Sequence, residues 1–175
     1  MDKRKEANRI VKEAITDALF SLMRKKSFYK ITITEISRLA GVARASFYRN
    51  YSSKEDVLQT LVDEVLEKFR SETLTEPDDF YCYENVLRSF RYFYEYRQYF
   101  VDMCRADFAS LLLASLNQFH ESIAGVMPAN SIDRYQLYMY MGALINTAIV
   151  WLWEEPKESV EDMAHMFCRQ FGITT

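Results

Sequence analysis

The pairing of Thr32 with Glu35, with Gly41 close behind, fixes more of this chain's architecture than any other stretch. A threonine followed three residues later by a glutamate is a capping box. Its hydroxyl and carboxylate accept hydrogen bonds from backbone N–H groups that open a helix and lack intrahelical partners. The helix that starts there is short, because glycine just past a helix end accepts the left-handed conformation of a sharp turn. A second short helix is expected from about Ala43 to Tyr51, after which Ser52-Ser53-Lys54-Glu55 supplies a fresh N-cap.

Helical spacing governs the remainder. Ahead of the capping box, Ile10, Ala14, Ala18 and Leu22 recur at four-residue steps beside Val11, Ile15, Leu19 and Met23, which makes one apolar stripe with Lys and Arg on the other faces. The helix opened by that N-cap should run from about Lys54 to Glu72. Pro77-Asp78-Asp79 then breaks the chain, and further helices are expected from about Phe80 to Tyr96, Gln98 to Arg105 and Phe108 to Ala124. The break Gly125-Val126-Met127-Pro128 precedes the last two, about Ser131 to Trp153 and Ser159 to Phe171, which are separated by Glu154-Glu155-Pro156. No segment shows sustained strand alternation. The expected fold is therefore all-α with about nine helices: a three-helix head, residues 1–52, and a larger helical bundle, residues 53–175.

The two ends differ in charge. Residues 1–60 carry 13 Lys/Arg against 7 Asp/Glu, a net of +6, and the remaining residues carry 9 against 18, a net of −9, so a polyanion is expected to meet the N-terminal end. Three cysteines, Cys82, Cys104 and Cys168, at irregular spacings argue against a disulfide framework or structural metal and fit a reducing cytoplasm. Cys104 precedes Arg105, a neighbour that favours a thiolate, although a buried inert thiol is the expectation. The N-terminus lacks the apolar core of a signal peptide. The most apolar stretch, Tyr138 to Trp153, falls short of the roughly 20 residues a membrane-spanning helix needs, so no membrane partner is expected.

Two short helices joined by a tight glycine turn, buttressed by an amphipathic helix in front, form a helix-turn-helix pattern whose second helix enters the DNA major groove. A groove displaying base edges calls for donors and acceptors rather than bulky hydrophobes. Arg44, Ser46, Tyr48, Arg49 and Asn50 supply them, while Val42 and Phe47 are expected to turn inward with Ile36 and Leu39.

The segment from Ile31 to Leu58 resembles the signature of the TetR (tetracycline-repressor-like) family of bacterial transcriptional regulators. Its three spaced runs appear as Ile36 to Val42, Phe47 to Tyr51 and Ser53 to Leu58. Ser37 stands where the family usually has Ala, Tyr51 where it has Phe, and Ala45 where Gly is frequent. The resemblance implies double-stranded DNA as partner, with Thr34, Ser46, Tyr48 and Lys54 at phosphates and Arg44, Ala45, Arg49 and Asn50 nearest base edges. A lysine in the first turn of a helix opposes the macrodipole, which is tolerable where a phosphate neutralises it. On that reading Lys54→Ala weakens binding to all DNAs alike and lowers the salt slope by about one.

One reading head spans too few base pairs for strong discrimination, so pairing by two-fold symmetry on a palindromic operator is expected. In proteins of this resemblance the final two helices form the dimer interface. Here Gly142, Ile145, Ile149 and Leu152, joined by Met163 and Phe167, are the candidates for a homodimer. An apolar or aromatic small-molecule effector is expected among Phe90, Phe93, Tyr94, Phe100, Met103, Leu112, Phe119 and Tyr138, with Asn117 and His120 as candidate polar anchors. The functional expectation is a bacterial, cytoplasmic repressor released by its ligand. The alternatives are control by a protein partner through the C-terminal domain, or an activator. No cofactor or metal is expected. Two histidines are too few for a di-iron bundle, Asp162-x-x-His165 stands alone, and no P-loop, Gly-x-Ser-x-Gly or His-Glu-x-x-His occurs, so the chain is not expected to be an enzyme.

Overall fold

The computed structural model describes residues 3–73, 81–125 and 127–174. Its regular structure is α1 (Lys3–Met23), a single 3-10 turn (Phe28–Lys30), α2 (Ile33–Leu39), α3 (Arg44–Asn50), α4 (Lys54–Thr73), α5 (Tyr83–Glu95), α6 (Arg97–Arg105), α7 (Ala109–Ala124), α8 (Ile132–Trp153) and α9 (Val160–Phe171). The described residues thus hold nine α-helices and no strand. The expected break at Pro77-Asp78-Asp79, the expected helix start at Phe80 and Val126 of the later break lie outside the described residues. Two compact units divide at residue 64/65, within α4, where the sequence placed a boundary at 52/53.

In the first unit, α1 packs against α2 and α3. The buried part of its stripe is Ile15, Ala18, Leu19 and Phe20, whereas Ile10 is exposed and Val11, Ala14, Leu22 and Met23 are half-buried. The reason is length. At 1.5 Å per residue, seven-residue partners reach about 10 Å, and 21-residue α1 outruns them.

The second unit is built on aromatic rings. α5 lies along α9, and α8 contacts α5, α6 and α7. Phe90, fully buried, meets Phe93 at 6.4 Å, Trp151 at 5.8 Å and Phe167 at 6.0 Å. Tyr140 and Phe171 extend the same group through Phe167. A separate cluster of Phe69, Tyr92 and Phe119 gathers Val65, Leu66, Tyr96 and Ile123 around it. Centroid separations of this size and mostly edge-to-face geometry are those aromatic pairs prefer. Burial raises the Cys104 thiol to about 11, far from the thiolate a redox sensor requires. No helix among the described residues is long and apolar enough to cross a membrane.

α7 buries a histidine. His120 donates from Nδ1 to the Leu116 carbonyl at 3.0 Å, and its burial drives its pKa down to about 4. A neutral imidazole held this way remains unprotonated in the fold while the unfolded chain takes up a proton near 6.5. Stability is therefore full above 6.5 and is lost as the pH falls towards 4. Thermal melts across that window should show a falling midpoint, and His120→Phe should flatten the dependence; an unchanged pH profile in the variant would assign it elsewhere.

Candidate nucleic-acid interface

The reading head is assembled by caps and one turn. The Thr32 hydroxyl accepts from the Glu35 N–H at 3.3 Å, and the Glu35 carboxylate accepts from the Thr32 N–H at 3.0 Å, so the capping box is complete. The same carboxylate takes a bond from Lys26 Nζ at 2.6 Å, and these partners, Lys26 foremost, hold it down to about 2. At the far end of α2, Gly41 adopts φ +67°. An added Cβ there would meet nothing within 4 Å, so the glycine is demanded by backbone conformation and not by crowding. The Val42 N–H then bonds to the Ser37 carbonyl at 3.0 Å and turns the chain into α3.

α3 buries one side chain, Phe47, which is fully enclosed, with Ile36, Val57 and Leu58 also fully buried in this unit and Tyr51 nearly so. The Phe47 ring meets Tyr51 at 5.9 Å. With Phe47 inward, helical spacing sends Arg44, Ala45, Tyr48 and Arg49 outward, and all four are exposed, Tyr48 to 51%. Ser46 and Asn50 are half-buried, and Asn50 Nδ2 donates back to the Ser46 carbonyl at 2.9 Å. Arg44 leans over the Tyr48 ring, 5.9 Å from its centroid, with Nη2 3.4 Å from the phenol oxygen. Thr34, in the first turn of α2, is exposed. The surface therefore presents two guanidinium groups, a phenol and small polar groups beside one another, a donor set suited to phosphates and to guanine N7 and O6.

Three placements differ from the sequence expectation or were not foreseen. Leu39 is 51% exposed and does not join Ile36 in the core, because α2 is too short for its last turn to be covered. Tyr29 stands 76% exposed in the 3-10 turn, edge-on to buried Phe28 at 6.1 Å; no periodic pattern marks a residue in so short a turn. Lys54 points its ammonium at Phe28 and Ile31, whose carbonyls accept from it at 2.7 and 3.0 Å.

The residues proposed for an effector do not form one cluster. Phe90, Phe93 and Phe100 are linked ring to ring, with Met103 and Leu112 buried. Phe119 belongs instead to the cluster of Phe69 and Tyr92. Tyr94 and Tyr138 lie outside: Tyr94 faces Trp151 at 5.8 Å under Arg97, and the Tyr138 hydroxyl donates to Glu121 at 2.6 Å. Of the residues expected at a dimer surface, Ile145, Leu152, Met163 and Phe167 are buried within this chain, and Gly142 and Ile149 are half-buried. The apolar residues α8 leaves in solvent are Ile132, Tyr135, Tyr138, Met139, Val150 and Trp153, with Met166 of α9 also exposed; half-buried Gly142 and Ile149 lie along the same side of the helix.

Residues 15–61 match the family described as bacterial regulatory proteins, tetR family. An uncharacterized HTH-type transcriptional regulator of Bacillus subtilis (strain 168), YxbF, is 37% identical over 65 residues, 35% of this chain and 17% of that protein. The match thus spans about a sixth of that relative's length. The fold is shared with a TetR transcriptional regulator from Streptococcus agalactiae 2603V, at a TM-score of 0.67 and 20% identity, covering 95% of this chain and 96% of the other. The dihydroxyacetone kinase operon activator DhaS is similar at a TM-score of 0.62 and 15% identity, covering 91% and 93%.

Ser37 is buried, and its hydroxyl has no hydrogen-bond partner among the described residues. An unsatisfied buried hydroxyl costs about 1–3 kcal/mol, part of which alanine recovers. Ser37→Ala should raise the stability of the head by about 1 kcal/mol, read as the midpoint of denaturant unfolding; a lowered midpoint would show that the hydroxyl is satisfied in solution.

Proposed function

We propose that this chain is a bacterial tetR-family regulator that binds a palindromic DNA operator as a homodimer and is released by a small-molecule ligand; the match of its head to that family and its fold support the reading. The observation that carries the DNA-binding reading is the orientation of α3. Phe47 anchors it, and Arg44, Ala45, Tyr48 and Arg49 are left free of the core. In this reading Arg44, Ala45, Arg49 and Asn50 read base edges and Thr34, Ser46 and Tyr48 hold phosphates. The contact of Arg44 with Tyr48 reduces the side-chain freedom lost on docking.

The pairing in this reading is supported by α8. Ile132, Tyr135, Met139, Val150 and Trp153 recur at helical spacing on one side, Met139 at 62% and Val150 at 69% exposure. An exposed apolar side of this kind, interrupted by Asn146 midway along the helix, is what a two-fold symmetric helix–helix contact buries. A protein partner of different sequence is the second reading for the same stripe. Ligand control draws support from the apolar interior of the second unit and from Asn117, whose Oδ1 is buried with no hydrogen-bond partner among the described residues; an acceptor in that condition suits a ligand donor. Release requires only that the ligand prefer a conformation DNA does not, and the opposition of the two is then reciprocal.

Selection of bound sequences from a random duplex pool should return two inverted half-sites about one helical turn apart. A pool that is never enriched, or enriched without two-fold symmetry, defeats the reading. On the selected duplex Arg44→Ala should cost about 1–3 kcal/mol and relax preference at one base pair of each half-site. Val150→Glu should convert the dimer to monomer in sedimentation while leaving the helical signal intact; a variant that remains dimeric moves the interface off α8.

A further inference from the structure

The inference concerns Lys54 and rests on the DNA-binding reading above. We propose that Lys54 is a positioning residue: its ammonium pins the segment 28–31 to the start of α4, and it does not serve as a phosphate contact. Nζ donates to the carbonyls of Phe28 and Ile31 at 2.7 and 3.0 Å and stands 4.5 Å from the centroid of the Phe28 ring. Two of its three N–H groups are therefore committed inside the protein. The third side of the ammonium faces buried Phe28, where a cation rests on the negative face of the ring.

The electrostatics close without DNA. A lysine in the first turn of a helix is opposed by the positive end of the macrodipole. Here the carbonyls of Phe28 and Ile31, at the start and just past the end of the 3-10 turn, supply the negative partner that a phosphate would otherwise provide. The Phe28 carbonyl already accepts from the Ile31 N–H at 3.0 Å, so the ammonium adds to a turn that is formed. A second lysine works on the same segment from another direction: Lys26 Nζ donates to the Lys30 carbonyl at 3.2 Å and to Glu35 at 2.6 Å. Between them, Lys26 and Lys54 occupy the carbonyls of residues 28, 30 and 31. That segment leads directly into Thr32, the N-cap of α2. Its position fixes where α2 begins, and α2 packs against α3, so the pin acts on the reading helix through two contacts. Charge alone does not meet this geometry. A planar guanidinium on a longer side chain spreads its donors over a rigid fork and does not reproduce one compact cation seated between two carbonyls and a ring.

The test compares the full-length protein with Lys54→Met and Lys54→Arg, by thermal melting and by DNA affinity across a salt series. The probes are the duplex recovered from the random pool and one random-sequence duplex. Expected are lower melting midpoints for both variants, weaker binding to the selected duplex by about tenfold, and a log–log salt slope equal to that of the parent. The arginine variant should fail to restore either property although it keeps the charge. The proposal is overturned if Lys54→Met lowers the slope by about one, as loss of a phosphate contact would. It is equally overturned if Lys54→Arg binds and melts like the parent, or if neither variant melts earlier. A parent protein that binds neither duplex refutes the DNA-binding reading, and the melting comparison still decides the role of Lys54.

Discussion

Burial of the Phe47 ring is the interaction on which the reading surface depends. α3 is seven residues long, too short to be stable from its own hydrogen bonds, and a helix of two turns owes its existence to what it packs on. Phe47 is its one fully buried side chain, and that single inward vector decides where the other six point. The turn at Gly41 matters because it delivers α3 to that site at the required angle. A residue with a Cβ would find open space there but a strained backbone. Polar exposure on α3 is thus a consequence of an apolar anchor, and any change to the anchor rotates every candidate DNA contact at once.

Three helix starts are secured by reciprocal hydrogen bonds between short polar side chains and backbone. Thr32 and Glu35 open α2, Ser159 and Asp162 open α9 in the same manner, and the Ser53 hydroxyl accepts from Asp56 N–H at 3.1 Å at the start of α4 while the Asp56 carboxylate accepts from the Ser52 N–H. Each satisfies N–H groups that would otherwise be left over. Glu35 shows how such a group takes on a second duty: a capping carboxylate with a lysine beside it becomes a joint between the loop after α1 and the helix after it. Exposed ion pairs elsewhere, such as Arg91 with Glu161, contribute far less, because water screens them.

The second unit follows a different economy. Its core is a run of ring contacts from Phe93 through Phe90 to Phe167 and Tyr140, and these rings fix α5 to α9 and α8. α8 is apolar on nearly every side, so part of it serves that core and part is left over. Met141, Leu144, Ile145, Ala148 and Leu152 are consumed internally, whereas Met139 and Val150 are not. The division explains why a helix with no polar face carries both a core and a candidate interface.

Local chemistry was legible in the sequence wherever one residue type has one job. The capping box at Thr32 and Glu35, the turn at Gly41, the all-α class and the outward Arg44 and Arg49 each follow from hydrogen-bonding capacity, backbone freedom or helical period, which act over a few residues. What the sequence left open was decided by partners far away along the chain. Whether Ile10 and Leu39 are covered depends on the lengths of neighbouring helices, and which face of α8 meets α5, α6 and α7 depends on rings contributed by Phe90 and Phe167. Lys54 is the sharpest case, for its helix position suggested an external anion and its partners are carbonyls more than twenty residues earlier. Periodicity tells which residues share a side of a helix. Only the packing of one helix on another tells which side is the inside.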